Sequence, residues 1–273
     1  MPELPEVEVV CQGLGPLVVG RTIGRVRTSG LPLRLPVPLA ALRRWTKGAL
    51  VQEVRRRGKY LILALDNQAR LVFHLGMTGR LGLFPAVTPQ AKHDHLCLGL
   101  DEGMELRFND TRRFGVIQVL TPKQEEGEFF SALGPDPLLP EFSVAYLVEA
   151  AARRKQPLKS FLMDSRVVVG IGNIYANEIL HEAGLSPLRP VNQVSRAEWQ
   201  RVVTKGRAVL KRAIAAGGSS ISDFVNASGR PGYFQLELKV YGRQGEPCRR
   251  CGEAIVKETQ AGRATYSCKG CQR

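Results

Sequence analysis

The chain has 273 residues, room for two domains and a substantial core. Its 39 Lys and Arg outweigh 25 Asp and Glu, and the net charge of +14 favours a polyanionic partner. No apolar run approaches the roughly 18 residues of a spanning helix and no cleavable signal is visible, which points away from membranes and towards a cytosolic nucleic-acid binder.

In chain order, Val7, Val10 and Leu14 recur at helical spacing from Glu6, and Gly13 and Gly15-Pro16 are expected to end that helix. Thr22 to Thr28 alternates as a half-buried strand does, residues 30–38 are irregular, and Leu39 to Trp45 reads as a short helix. From Leu50 onward strand signals dominate: Val51–Arg57, Tyr60–Leu65, Arg70–Leu75, Leu96–Leu100, Met104–Phe108 and Val116–Leu120. Short strands without long helices between them predict a sandwich or barrel. Gly134-Pro135-Asp136-Pro137 and Pro140 mark a linker, after which the period turns helical. Helices are predicted from Ser143 to about Arg154, from Leu158 to Asp164, from Ile174 to Ala183, and from a Ser195/Glu198 capping box to Gly217-Gly218. Residues 217–232 read as a Gly- and Ser-rich loop, and Gln235 to Tyr241 as a short β segment.

The most specific physical signal is Cys248-x2-Cys251-x16-Cys268-x2-Cys271. Two such knuckles bring four thiolates to one tetrahedral Zn²⁺, and a filled coordination sphere makes the ion structural. Between the knuckles lie two ribbon strands, with Arg263 just past their turn. Cys11 and Cys97 stand apart and read as buried apolar residues.

Other stretches leave two readings open. Pro2-Glu3 is either a helix start or, once Met1 is removed, a secondary amine beside a carboxylate. Such an amine, with a pKa of roughly 7.7–8.0, attacks an electrophilic carbon and yields a fixed iminium cation. Gly170 and Gly172 ahead of Asn173 form either an ordinary capped turn or a phosphate cradle. Arg55-Arg56-Arg57-Gly58-Lys59 is either a solvated strand face or part of a ligand surface. Met77 and Phe114, in Gly-bounded loops, are either core residues or wedges for a base stack.

Taken together and in this order, PELPEVE (2–8), RGKY (57–60), HLGMTGRL (74–81), KHDH (92–95), NDTRRFG (109–115), VVGIGNIYANE (168–178), RPGYF (230–234) and the cysteine ribbon resemble bacterial formamidopyrimidine-DNA glycosylases. The resemblance spans the whole chain. It implies an α+β protein: an N-terminal antiparallel β-sandwich, then a helix-two-turn-helix domain with a zinc-finger β-ribbon. The expected limits are 1–132 for the catalytic sandwich, 133–142 for the linker, 143–240 for the helical domain and 241–273 for the finger.

The resemblance also implies a bifunctional enzyme that removes oxidised purines from duplex DNA and cleaves abasic sites, acting as a monomer in the bacterial cytoplasm and at the nucleoid when on DNA. Pro2 is then the nucleophile on C1′ and Glu3 the general acid/base. Lys59 is a second catalytic amine, and Arg263 serves δ-elimination and phosphate binding. His74 and Asn173 become phosphate contacts, while His93, Arg112, Arg154 and Lys159 fall at DNA-binding positions. Met77, Arg112 and Phe114 match a trio that fills the void left by the flipped base. The rival readings are an endonuclease VIII type for oxidised pyrimidines, which shares Pro2-Glu3 and the finger, and a zinc-finger binder without catalysis.

Overall fold

In the computed structural model, which describes residues 1–219 and 233–273, the chain forms two compact units. The first holds Met1–Ser131 and the described parts of Ala216–Tyr233; the second holds Ala132–Ala215 and Phe234–Arg273.

The first unit begins with α1 (Leu4–Val18), followed by β1 (Ile23–Thr28), α2 (Leu39–Thr46), β2 (Val51–Arg57), β3 (Tyr60–Leu65), β4 (Arg70–His74), β5 (Arg80–Pro85), β6 (Asp94–Leu100), β7 (Met104–Asn109), β8 (Val116–Leu120) and α3 (Glu126–Phe129). The strands make two four-stranded antiparallel sheets, ordered β1-β6-β7-β5 and β2-β3-β4-β8. Phe73 of one sheet stacks on Phe108 of the other with ring centroids 5.9 Å apart. Leu61, Leu63, Leu71, Leu96, Leu98 and Ile117 fill the core around them. The α1 stripe Val7, Val10, Leu14, Val18 is buried in the same core, and the helix packs on β2, β3 and β5.

Two sequence expectations need correction here. Helix α1 does not stop at Gly15-Pro16 but runs to Val18. Pro16 falls in the last turn, where it removes one helical N–H donor, and the complete burial of Leu14 and Val18 on either side holds the turn in place. Strand β5 was hidden in sequence by Gly79, Gly82 and Pro85. It lies at a sheet edge, where proline is tolerated because no outer partner needs its N–H.

The second unit contains α4 (Val144–Ala151), α5 (Leu158–Met163), α6 (Asn173–Ala183), α7 (Arg196–Ala215) and an antiparallel ribbon of β9 (Val256–Gln260) and β10 (Arg263–Ser267). Helix α6 is central, packing on α5, α7 and β10. Gly184 stops it at φ 68°, a left-handed conformation suited to glycine. The Ser195/Glu198 capping box is present at the start of α7.

One expected element is corrected in this unit, and two details go beyond the sequence pattern. Gln235–Tyr241 is not a strand: Phe234–Glu237 is one 3₁₀ turn, and the N–H groups of Lys239, Val240 and Tyr241 all donate to the buried Glu178 carboxylate at 2.9, 3.0 and 2.9 Å. The linker is pinned, since Arg207 donates to the carbonyls of Pro137, Leu139 and Phe142 at 3.2, 2.8 and 3.0 Å. The cap of α6 is Gly172, and Asn173 is its first helical residue.

Candidate active site and metal centre

Pro2 and Glu3 lie buried at the mouth of α1, with Glu3 2% exposed. Glu3 is the N-cap, in extended conformation, and shares a capping box with Glu6. The Glu3 N–H donates to Glu6 Oε2 at 2.9 Å, while Glu6 Oε1 accepts from the N–H and hydroxyl of Ser219 at 2.8 and 3.1 Å. The helix start and the pairing of an amine with a carboxylate are therefore compatible: the cap is what fixes the carboxylate next to Pro2. While Met1 is attached, the Pro2 nitrogen is an amide and cannot attack; removal of Met1 creates the secondary amine.

Lys59 sits at the tip of the two-residue β2–β3 turn, after Gly58 at φ 59°. The hairpin is tied to α1: Arg56 donates to Glu8 at 2.8 Å and to the Gly58 carbonyl at 3.1 Å. Arg55 forms a two-pronged pair with Glu126, which Arg70 also meets at 3.2 Å. Arg55 and Arg56 are thus engaged by carboxylates rather than lying on a freely solvated strand face.

His74 pairs across from Tyr60, the residue after Lys59. Burial pulls its pKa down to about 4, helped by the positive charges of Lys59 and Arg34. Its Nδ1 accepts the Gly76 N–H at 3.1 Å, so the neutral ring carries its proton on Nε2 as a hydrogen-bond donor.

Met77 and Phe114 are 39% and 44% exposed, unlike the buried core around them. They project from the β4–β5 and β7–β8 loops, and the Arg112 guanidinium lies over the Phe114 ring at 4.8 Å. The core reading of both residues fails on this exposure. His93 is half-buried beside His95, ring centroids 6.4 Å apart, and its carbonyl accepts the Asp110 N–H.

In the second unit, Asn173 and Lys159 converge on one carbonyl. Asn173 Nδ2 donates to the Ala264 carbonyl at 3.1 Å, and Lys159 Nζ donates to it at 2.8 Å and to Thr265 Oγ1 at 2.8 Å. Lys159 is only 1% exposed, and both residues seat the ribbon. Arg263 is exposed, just after a tight turn in which Ala261 and Gly262 take φ 48° and 71°. A cavity of about 220 Å³ is lined by Lys159, Ser160, Met163, Gln260, Ala261 and Arg263. Arg154 is not part of that group; its guanidinium lies over Phe161 at 5.6 Å.

The sulfurs of Cys248, Cys251, Cys268 and Cys271 all lie within 4.8 Å of one another, with Cys248–Cys271 at 3.8 Å and Cys251–Cys268 at 3.3 Å. Four sulfurs around Zn²⁺ at 2.3 Å stand roughly 3.8 Å apart, so the set fits one tetrahedral ion. With no position left for substrate, that ion is structural and fixes the ribbon that carries Arg263.

Glu6, Thr78 and Asp110 lie inside the PELPEVE, HLGMTGRL and NDTRRFG stretches without standing out in them. Their signal was weak: short polar residues between conspicuous ones. Only their burial and partners separate them from surface residues.

The sandwich, the helical unit and the zinc ribbon match the parts of a DNA glycosylase family. Residues 1–117 match the formamidopyrimidine-DNA glycosylase N-terminal domain, 133–225 its H2TH domain, and 245–273 the zinc finger found in FPG and IleRS. Formamidopyrimidine-DNA glycosylase of Xanthomonas campestris pv. campestris is 45% identical, and that of Idiomarina loihiensis 44%, each over the full length of both chains. The crystal structure of MutM (Fpg) from Thermus thermophilus is similar at a TM-score of 0.87 and 39% identity, covering 99% of this chain and 98% of that one. Wild-type Lactococcus lactis Fpg, 34% identical and fully covered, matches at 0.92 in a complex with N7-benzyl-Fapy-dG DNA and at 0.91 in one with oxidized-pyrimidine DNA. The chain belongs to the formamidopyrimidine-DNA glycosylase family.

Proposed function

We propose that this enzyme excises formamidopyrimidines and 8-oxoguanine from duplex DNA and then cleaves the abasic strand by β,δ-elimination. The observation that carries the reading is the buried Pro2-Glu3 pair at the capped start of α1. The names of the full-length relatives and the Fapy-dG complex of the Lactococcus enzyme support the substrate class.

In this reading the Pro2 amine attacks C1′ of the flipped nucleotide, the base leaves, and the iminium that remains is an electron sink for the eliminations. Glu3 moves protons at the same centre. Lys59, on its braced turn, assists β-elimination. His74, neutral with an Nε2–H, donates to a phosphate without adding charge. Met77, Arg112 and Phe114 occupy the gap, with Arg112 donors facing a cytosine edge. His93 and Arg154 contribute to the DNA surface, Arg263 binds phosphate and serves δ-elimination, and Lys159 and Asn173 act through the ribbon they seat.

The domain limits follow the same reading: 1–132, 133–142, 143–240 and 241–273, in the order of the three matched families. The compartment is the bacterial cytoplasm, at the nucleoid when bound to DNA; no helix among the described residues is long and apolar enough to cross a membrane.

The oxidised-pyrimidine reading is kept as a second one because the Lactococcus relative has been captured with such DNA. A nicking assay separates the two, using 8-oxoguanine opposite each of the four bases beside a thymine glycol duplex. Fastest cutting of 8-oxoguanine opposite cytosine is expected. Faster cutting of thymine glycol would overturn the purine assignment.

A further inference from the structure

Met77 and Phe114 belong to loops more than thirty positions apart in sequence, yet a single carboxylate ties the two loops together. Asp110 is fully buried. Its Oδ1 accepts the Thr78 hydroxyl at 2.5 Å and the Arg112 N–H at 3.3 Å; its Oδ2 accepts the Gly115 N–H at 2.7 Å. The Arg112 N–H also donates to Thr78 Oγ1, at 3.1 Å. Thr78 is the residue after Met77, and Asp110 lies two before Arg112 and four before Phe114.

The two backbones are also in contact. A Cβ at Gly76 would stand 2.5 Å from the Phe114 carbonyl carbon and 2.6 Å from the Gly115 nitrogen. No side chain fits between the two loops at this point. Asp110 is anchored from behind as well: its N–H donates to the His93 carbonyl at 3.0 Å, and its own carbonyl bonds His95 Nε2 at 3.0 Å. The other ring nitrogen of His95 meets the Ser29 hydroxyl at 2.9 Å.

A buried carboxylate is costly unless fully hydrogen-bonded, and the donors named here are uncharged hydroxyl and amide groups. Such a group is a poor choice for stability alone. It does give three donors from two loops one shared acceptor. The result is a rigid base below three exposed side chains.

We propose that Asp110 and Thr78 form a latch that makes the two loops one body, so that Met77, Arg112 and Phe114 enter the duplex together and in register. Both are positioning residues for reading the opposite base. The proposal rests on the reading above that this trio fills the gap. Its physical gain is preorganisation, because the entropy of ordering two loops is lost during folding rather than on DNA.

The test measures nicking of 8-oxoguanine opposite cytosine and opposite adenine for wild type, Thr78→Val, Thr78→Ser, Asp110→Asn and Arg112→Ala, with thermal unfolding of each. Thr78→Val removes the hydroxyl at nearly constant volume, so it reports even where Asp110→Asn fails to fold. The latch predicts that Thr78→Val lowers the cytosine-to-adenine ratio about tenfold, the scale of one hydrogen bond to a charged group. It predicts that Thr78→Ser restores the ratio. A wild-type ratio in Thr78→Val beside a collapsed ratio in Arg112→Ala overturns the latch and leaves the trio standing. An unchanged ratio in Arg112→Ala overturns the trio's reading role and the latch with it.

Discussion

Glu6 binds Ser219, 213 positions away, with one carboxylate oxygen, and holds the Glu3 backbone with the other. One buried side chain thus joins the start of α1 to the segment that leads into residues 220–232. Glu6→Gln keeps the shape but turns one acceptor into a donor facing an N–H. A loss of about 1–3 kcal/mol in stability is expected, the cost of an unsatisfied buried pair. Because Glu3 is held by that oxygen, borohydride trapping on abasic DNA should slow as well. Denaturant unfolding and single-turnover trapping check both effects. A destabilised variant that traps at the wild-type rate would limit Glu6 to a structural role.

A chain whose N-terminus cannot be trimmed should bind DNA yet form no covalent adduct. The reason is the amide nature of the Pro2 nitrogen while any residue precedes it. The measurement compares a form with a non-removable N-terminal extension with the trimmed form, using borohydride trapping and peptide mass spectrometry. The adduct should map to Pro2. An adduct on Lys59, or full trapping by the extended form, would refute the assignment.

Much of the first unit was legible in sequence, because period-2 patterns and tight turns are local. Strands β2, β3 and β8 fall at the expected residues. Strand β5 was not legible, since its Gly82 and Pro85 carry the local signature of a loop and only pairing with β7 makes it a strand. The Gln235–Tyr241 error has the same origin. The N–H groups of Lys239, Val240 and Tyr241 are taken by Glu178, about sixty positions earlier, and no local pattern encodes that partner. The four cysteines were legible because metal chemistry fixes their spacing. Asp110 and Glu6 were not, because a buried carboxylate is recognised by its donors, and one donor of each, Thr78 for Asp110 and Ser219 for Glu6, lies far off in sequence.

Stability should fall on acidification between pH 6.5 and 4, partly through His74. The folded pKa of about 4 lies below the ordinary 6.5, so the unfolded chain takes up the proton first. The His74 contribution is then fully present above 6.5 and is lost as the pH falls towards 4. One such proton corresponds to a slope of about 1.4 kcal/mol per pH unit inside that window. His74→Gln should flatten the curve there and leave it unchanged above pH 7. Denaturant unfolding across pH 4 to 8 gives the comparison; parallel wild-type and variant curves would contradict a buried neutral His74.

His181 is buried, and its Nε2 lies 3.5 Å from Cys248 Sγ, where the Arg250 N–H also donates at 3.4 Å. A zinc-bound cysteine is a thiolate, and both N–H groups stabilise its charge and fix its direction. Outer-sphere donors of this kind are worth roughly 10–100-fold in metal affinity. His181→Leu keeps much of the apolar volume but removes the donor, so zinc should pass to a competing chelator faster by a similar factor. His181→Gln, which restores an N–H, should recover part of the retention. Metal analysis should still give one zinc per chain in each variant before chelation. Arg263 stands on the ribbon that this ion closes, so DNA affinity should drop in step with zinc loss. Equal release rates in wild type and His181→Leu would show that the four thiolates hold the ion without help from His181.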